Sequence, residues 1–140
     1  MMTEAMSTVI YPKKKSVEVV KHFRDKEDIQ WIDNLIGCHI FTFVRLYENG
    51  DGVYVDDEGL FKEGQYFWIH KNYPTPLAGN GILVGTDKNG NTIPASISLK
   101  EFRTHIRFIG DIHTLRYETQ KANIIHDDYR PNFFNGAEYV

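Results

Sequence analysis

Glycine, asparagine and aspartate cluster at short intervals through the middle of the chain, and this spacing limits the possible folds more than any other feature. Such clusters lie at 48–52, 56–59 and 87–91, and the segments between them are short and apolar. Tight turns that separate short β-prone segments are typical of antiparallel strands. The sequence therefore predicts a mainly antiparallel sheet, with a β-meander over 39–61. Further strands are predicted at 7–11, 17–20, 66–70, 82–86 and 92–97.

Two segments have helical rather than alternating apolar spacing. In the first, Asp25 is the expected cap and Gly37 supplies a left-handed end. In the second, Ser98 and Glu101 form a capping box, and Gly110 ends the helix. The apolar stripe of the second helix consists of Leu99, Phe102, Ile106 and Ile109. We therefore expect a single α+β domain in which two helices pack on the sheet.

The last thirty residues differ from the rest of the chain. Residues 111–140 are too apolar for a disordered linker and too irregular for a long helix. We expect a domain over 1–110 and a C-terminal extension over 111–140 that docks on the domain, on a second copy or on a partner. The predicted partner-binding residues of this extension are Tyr129, Phe133, Phe134 and Tyr139.

Charge and composition narrow the range of partners. The chain has 140 residues and a formal net charge of -3, so nucleic acid is an unexpected partner unless a local basic patch exists. One cysteine, Cys38, gives no intramolecular disulfide. The first residues lack the order of a signal peptide, and no run approaches the about 18 apolar residues that cross a bilayer. These features predict a cytoplasmic protein that does not enter a membrane.

The segment 79–85, GNGILVG, is similar to a glycine-rich phosphate loop. Such loops follow a strand and open a helix, whose N-terminal amides hold the phosphate. Here the glycines lead into a predicted strand, and no Lys-Ser or Lys-Thr pair follows. The sequence favours a structural turn, and a nucleotide site remains the alternative.

No set of side chains has the number and spacing of a metal site. Asp87, Asn89 and Asn91 open like a calcium loop, but Thr92 stands where that loop requires glycine. The acidic turns at 48–58 and the triplet 126–128 are explained equally well by solvent exposure. We expect no metal, no cofactor and no catalytic residues.

Two groups of residues suggest an anionic, flat ligand such as a nucleotide. Lys100, Arg103 and Arg107 form a basic row on the second predicted helix, although a solvated helix face is the simpler interpretation. Aromatic residues precede the glycine-rich loop, and others are expected to share one face of the strand at 39–47. The candidate ligand-binding residues are Arg103, Arg107, Lys100, Trp68, Tyr73 and Asn80. The residues expected on one strand face are Phe41, Phe43, Arg45 and Tyr47.

The middle of the chain resembles a family of small uncharacterised domains of bacteriophages and other mobile elements. The resemblance covers about 29–97 and includes an ILIGCHI segment, a YVDDEGL strand and turn, and the PLAGNGILVGTD segment. It rests on Gly37, Asp57, Glu58, Gly59, Asn72, Pro76, Leu77, Gly79 and Gly85. The aromatic KEGQYFWIH segment and the long C-terminal extension depart from the family pattern. The resemblance implies an α+β accessory protein of phage type that acts in the host cytoplasm.

The combined expectation is a non-enzymatic protein that binds a host macromolecule or defence component stoichiometrically, as an anti-defence or host-takeover factor. The alternative is a small-molecule binding protein that sequesters a nucleotide-like signal near the glycine-rich loop. A homo-oligomer is compatible with both.

Overall fold

The computed structural model describes residues 2–25 and 29–125. Within that part of the chain every strand pairing is antiparallel, which confirms the predicted α+β class. The elements are β1 (Met2–Tyr11), β2 (Ser16–Asp25), α1 (Gln30–Ile36), β3 (Phe41–Arg45), β4 (Gly52–Asp56), a 3-10 helix (Gly59–Phe61), β5 (Phe67–His70), β6 (Leu77–Ala78), β7 (Gly81–Thr86), β8 (Thr92–Ile93), α2 (Leu99–Thr104), β9 (Ile106–Gly110) and α3 (Ile112–Ile125).

The main sheet has the strand order β2-β1-β7-β4-β3, and β8 pairs with the end of β7. One face packs on α1, whose Trp31, Ile32 and Ile36 form a buried cluster with Ile82 and Val84 of β7. Because side chains alternate along a strand, Leu83, which lies between Ile82 and Val84, points to the opposite face. That face packs on the second sheet.

The second sheet has the order β6-β5-β9. Trp68 of β5 and Ile106 of β9 belong to the largest buried cluster, which fills the space between the two sheets. Phe67 and Ile69 alternate to the outer face, where Ile112 and Leu115 of α3 pack against them. The molecule is therefore layered as α1, main sheet, second sheet and α3.

The predicted meander is correct only for its first hairpin. β3 and β4 pair from Phe41 opposite Asp56 to Arg45 opposite Gly52. β4 then pairs with β7, and the following strand β5 belongs to the second sheet. The 3-10 helix and the turn at Gly64, where φ is +73°, redirect the chain before β5 begins.

Both predicted helices are shorter than the apolar spacing indicated. Asp25 ends β2 rather than capping α1, which begins five residues later without a side-chain cap. Gly37 does end α1 in the left-handed conformation, with φ of +79°. Ser98 caps α2 as predicted, since its Oγ accepts a hydrogen bond from the Glu101 amide at 3.1 Å.

The second half of the other predicted helix, 106–110, is strand β9. Its spacing fits a helix and a strand equally, and the edge of β5 decides the outcome by supplying backbone hydrogen bonds from Phe67 to His70. Alternation places Ile106 towards the main sheet and Ile109 towards α3. The helical stripe in the sequence therefore spans two elements.

The first part of the C-terminal extension forms a helix of fourteen residues, which the sequence did not indicate. α3 contacts the second sheet through Ile112, Leu115 and Glu118 of its first two turns. Residues 126–140 lie outside the described part of the chain, so the partner-binding role of Tyr129, Phe133, Phe134 and Tyr139 and the boundary at 110 stay predictions. Among the described residues no helix is long and apolar enough to span a membrane.

Candidate functional site

The glycine-rich loop connects β6 to β7 and uses its backbone groups internally. The Gly79 amide donates to Tyr66 at 2.9 Å, and its carbonyl accepts from the Trp68 indole at 3.1 Å. Asn80 donates to the Leu35 carbonyl at 3.4 Å. The loop leads into a strand, so it lacks the helix N-terminus that a phosphate loop requires. A cavity of about 220 Å³ beside it is smaller than most ligand pockets, which measure about 300–1,000 Å³.

The predicted basic row does not exist as one surface. Lys100 and Arg103 lie on α2, whereas Arg107 lies on β9 and faces α3. The Arg107 guanidinium forms a bidentate pair with Glu118, at 2.9 and 3.3 Å. Arg103 donates to the Val17 carbonyl. The helical spacing of the three residues is broken because α2 ends at Thr104.

The aromatic residues of the predicted ligand site lie in the core or pack against it. Trp68 has no exposed surface, so its ring cannot stack on a ligand. Tyr73 packs against the buried cluster between the sheets. The strand face predicted from 39–47 divides as well, since β3 ends at Arg45 and Tyr47 turns into the space between the sheets. The six candidate ligand-binding residues therefore do not line one cavity among those found in the described residues.

A partly buried series of hydrogen bonds links Tyr47, His70 and His105, a combination that no sequence pattern indicates. His70 is fully buried, and its Nδ1 accepts from the Asn72 amide at 3.0 Å. Its Nε2 therefore carries the proton and donates to the Tyr47 hydroxyl at 2.7 Å. Tyr47 in turn donates to Nδ1 of His105, also at 2.7 Å. The spacing of 23 and 58 residues along the chain hides this group from any local motif.

Burial controls the protonation of these three residues. Desolvation, with smaller contributions from His105 and Lys71, lowers the pKa of His70 to about 3. Desolvation also lowers the pKa of His105 and raises that of Tyr47. All three groups are thus held neutral at pH 7. These hydrogen bonds fasten the loop after β3 to β5 and to the end of α2.

Asp51 is buried, with 2% of its surface exposed, and it has a structural role instead of the metal-attracting one considered for the acidic turns. Its carboxylate accepts from the amides of Ser96 and Ile97, at 2.9 to 3.1 Å. It therefore holds the segment between β8 and α2 against the β3–β4 hairpin. Among the described residues no group of acidic, histidine or cysteine side chains is arranged for a metal. The triplet 126–128 lies outside them.

Cys38 follows α1 and is buried. Burial raises the pKa of its thiol, an effect reinforced by Asp56 and Asp33. The thiolate that a nucleophilic cysteine requires is therefore disfavoured.

The surface feature that stands out is the far half of the β1–β2 hairpin. Residues 2–7 pair with 20–25, and these two segments, called here the ribbon, extend beyond the three positions at which β1 also pairs with β7. One side of the ribbon rests on α1, where His22 stacks on Trp31 at 5.0 Å and Arg24 lies 5.3 Å from the same ring. The ribbon is thus attached to the fold on one side only.

The opposite side of the ribbon has an apolar surface. Opposed residues of antiparallel strands share a face, so the register places alternate residues of β1 and β2 together. Four large apolar side chains on this side, called here the apolar ribbon face, are between 52% and 63% exposed. They are Met2, Met6 and Phe23 of the ribbon and the adjoining Val19, which continues the same face of β2. Lys21 and Glu4 form an ion pair among them at 3.3 Å.

Next to the ribbon a cleft of about 310 Å³ opens where β1 separates from β7. Ala5 to Thr8 form one wall, and the segment around β8 forms another. Arg24 and Trp31 also line the cleft. The full lining is Ala5, Met6, Ser7, Thr8, Arg24, Trp31, Leu83, Val84, Thr92, Ile93, Pro94, Ala95 and Ile97.

Comparison with known proteins identifies no reaction, ligand or partner. No family model and no solved structure matches the chain. The chain is 28% identical over 76 residues to the uncharacterized protein y4iR of Sinorhizobium fredii (strain NBRC 101917 / NGR234). The match covers 54% of this chain and 47% of that protein, so the chain spans about half the length of the relative. This similarity transfers no activity, and the resemblance to a phage family stays a prediction.

Proposed function

We propose that the chain is a non-enzymatic binding protein that engages a partner protein through the apolar ribbon face. The observation that carries this proposal is the alignment of Met2, Met6, Val19 and Phe23 on one side of a ribbon, each more than half exposed. Contiguous apolar patches are uncommon on monomeric proteins and mark interaction surfaces.

Packing against α1 holds the ribbon in place, as a stable binding surface requires. An isolated two-stranded hairpin is marginally stable in water. Here the packing of His22 and Arg24 on Trp31 fixes one side to α1, which leaves the other side free to contact a partner. Burying one large apolar side chain contributes about 1.5–3 kcal/mol, so these side chains can supply a large share of the binding energy of a complex.

The partner that we propose is a host macromolecule or defence component. The support for this choice is the resemblance of residues 29–97 to phage-type domains. The C-terminal aromatic residues would add a second contact area on the same partner. Nucleotide sequestration is the less supported alternative, because the residues proposed for it lie on separate surfaces or in the core.

The test replaces Val19 by Thr and Phe23 by Gln in one variant. Both changes are compatible with an extended strand but replace apolar surface by polar surface. The wild type is expected to retain a protein stoichiometrically from a bacterial lysate, and we expect the affinity of the variant for that protein to be at least tenfold lower. Retention is measured by quantitative mass spectrometry and then with the purified partner by calorimetry.

The matched control is Tyr117→Gln, which removes an equally exposed aromatic ring from α3. This control should bind like the wild type, and all three proteins should melt at similar temperatures. Equal retention by the ribbon variant, or no retained protein with the wild type, would refute the proposed function.

A further inference from the structure

β1 has an edge that no described strand covers. It pairs with β2 along all ten residues, but with β7 only at Thr8, Val9 and Ile10. Every second residue between Met2 and Ser7 therefore directs its backbone N–H and C=O groups to an open edge. Open edges are templates for the addition of another strand, and natural proteins usually cover, shorten or charge them. Glu4 is the single charge that β1 carries there.

The open edge faces the cleft rather than bulk solvent alone. Ala5 to Thr8 line one side of its volume of about 310 Å³, and Ile93, Pro94 and Ala95 line another. A strand added to β1 would place alternate side chains towards these apolar residues, as strand-adding peptides place theirs into pockets. The cleft is thus suited to an extended chain.

Arg24 gives the cleft its charge. Its guanidinium lies over the Trp31 ring at 5.3 Å, and no carboxylate of a described residue is within ion-pair distance of it. A guanidinium that contacts an aromatic ring can still offer N–H groups for a bidentate contact with a carboxylate. Charge complementarity therefore favours an acidic occupant.

We infer that the cleft binds an extended, acidic peptide segment of the partner protein, which adds to the free edge of β1 and places a carboxylate on Arg24. This inference rests on the proposed function and specifies its recognition mode. Backbone hydrogen bonds to residues 2–7 supply affinity, and Arg24 together with the apolar walls supplies selectivity.

The experiment starts from a displayed library of random twelve-residue peptides selected on the full-length protein. We expect enrichment of peptides in which Asp or Glu is flanked by apolar or β-branched residues. The best peptide is then synthesised in three forms: unchanged, with its acidic residue replaced by Lys, and with alternate backbone amides methylated. Fluorescence anisotropy should show at least tenfold weaker binding for both altered forms.

Two protein variants test the contact from the other side. Arg24→Gln should weaken binding of the unchanged peptide at least tenfold, whereas Arg116→Gln, which makes the same change on the exposed surface of α3, should bind as the wild type does. Melting temperatures control for folding, and the altered peptides test the same contacts without touching the protein. On binding, amide hydrogen exchange should slow within residues 2–7.

The outcomes separate this inference from the proposed function. Failure to enrich any peptide, enrichment without an acidic residue, or unchanged exchange at 2–7 would overturn strand addition. The Val19 and Phe23 experiment could still succeed in that case. Concentration-dependent mass of the free protein in light scattering, abolished by Arg24→Gln, would identify a second copy as the occupant and also overturn the inference.

Discussion

At the scale of single residues, His70 shows how environment decides what a titratable group does. The imidazole is fully buried and keeps both nitrogens in hydrogen bonds only while it is neutral. Protonation at Nδ1 would place a second donor against the Asn72 amide. Burial, with smaller contributions from His105 and Lys71, lowers the pKa of His70 to about 3.

This predicts a loss of stability in acid. Above about pH 6.5 His70 is neutral in both the folded and the unfolded state. As the pH falls towards 3, the unfolded chain binds a proton that the folded protein excludes, so stability decreases by up to about 1.4 kcal/mol per pH unit. We expect His70→Gln to reduce the decrease between pH 6.5 and 4.5 by about 1 to 3 kcal/mol, measured by urea unfolding.

The exposed His113 on α3 provides the control. His113→Gln should change the pH profile less than His70→Gln does. His22 and His105, whose pKa values are also lowered, leave some acid sensitivity in both variants. An identical pH profile for wild type and His70→Gln would contradict the assignment of a neutral, buried imidazole.

At the scale of elements, the sequence was informative wherever the signal is local. Gly37 and Ser98 mark helix ends through their own backbone and hydroxyl, and the turn at Asp87 forms because its carboxylate accepts the amides of Asn89 and Asn91. β9 was predicted as helix because its conformation depends on a partner strand 36 to 43 positions earlier in the chain. The apolar ribbon face was not predicted for the same reason, since Met6 and Lys21 become neighbours only through the pairing of β1 with β2.

The β9–α3 contact gives an element-scale prediction. Arg107 and Glu118 are each about a quarter exposed and form two hydrogen bonds across the contact. We expect Arg107→Ala and Glu118→Ala to show a coupling of about 0.5 to 1 kcal/mol in a double-mutant cycle of unfolding free energies. Arg103→Ala paired with Glu118→Ala should show none, because Arg103 lies on α2. Coupling within error of zero for the first pair would mean that the bidentate contact does not hold α3 in solution.

At the scale of the whole molecule, the contact between the two sheets is made by packed side chains, and the large ones determine the spacing of the sheets. Trp68 lies at the centre of this contact, with its indole N–H on the Gly79 carbonyl. Gly81 faces it from β7, and a Cβ added there would lie 3.1 Å from the indole ring and 3.4 Å from Ile10. The glycine in the opening of β7 is thus required by packing between layers, which explains part of the GNG pattern that imitates a phosphate loop.

This contact predicts a compensating pair of substitutions. Gly81→Ala overfills the space and should destabilise by about 1–3 kcal/mol, while Trp68→Phe leaves space and the Gly79 carbonyl unpaired, at a similar cost. Because the added methyl group fits into the volume that the smaller ring vacates, the double variant should be more stable than the sum of the single effects by at least about 0.5 kcal/mol. Gly90→Ala, at a loop tip with no atom within 4 Å but with φ of +82°, paired with Trp68→Phe, serves as the additive control. Additive effects at Gly81 and Trp68 in denaturant unfolding would show that the sheets can shift apart, and would weaken the view that Trp68 sets their spacing.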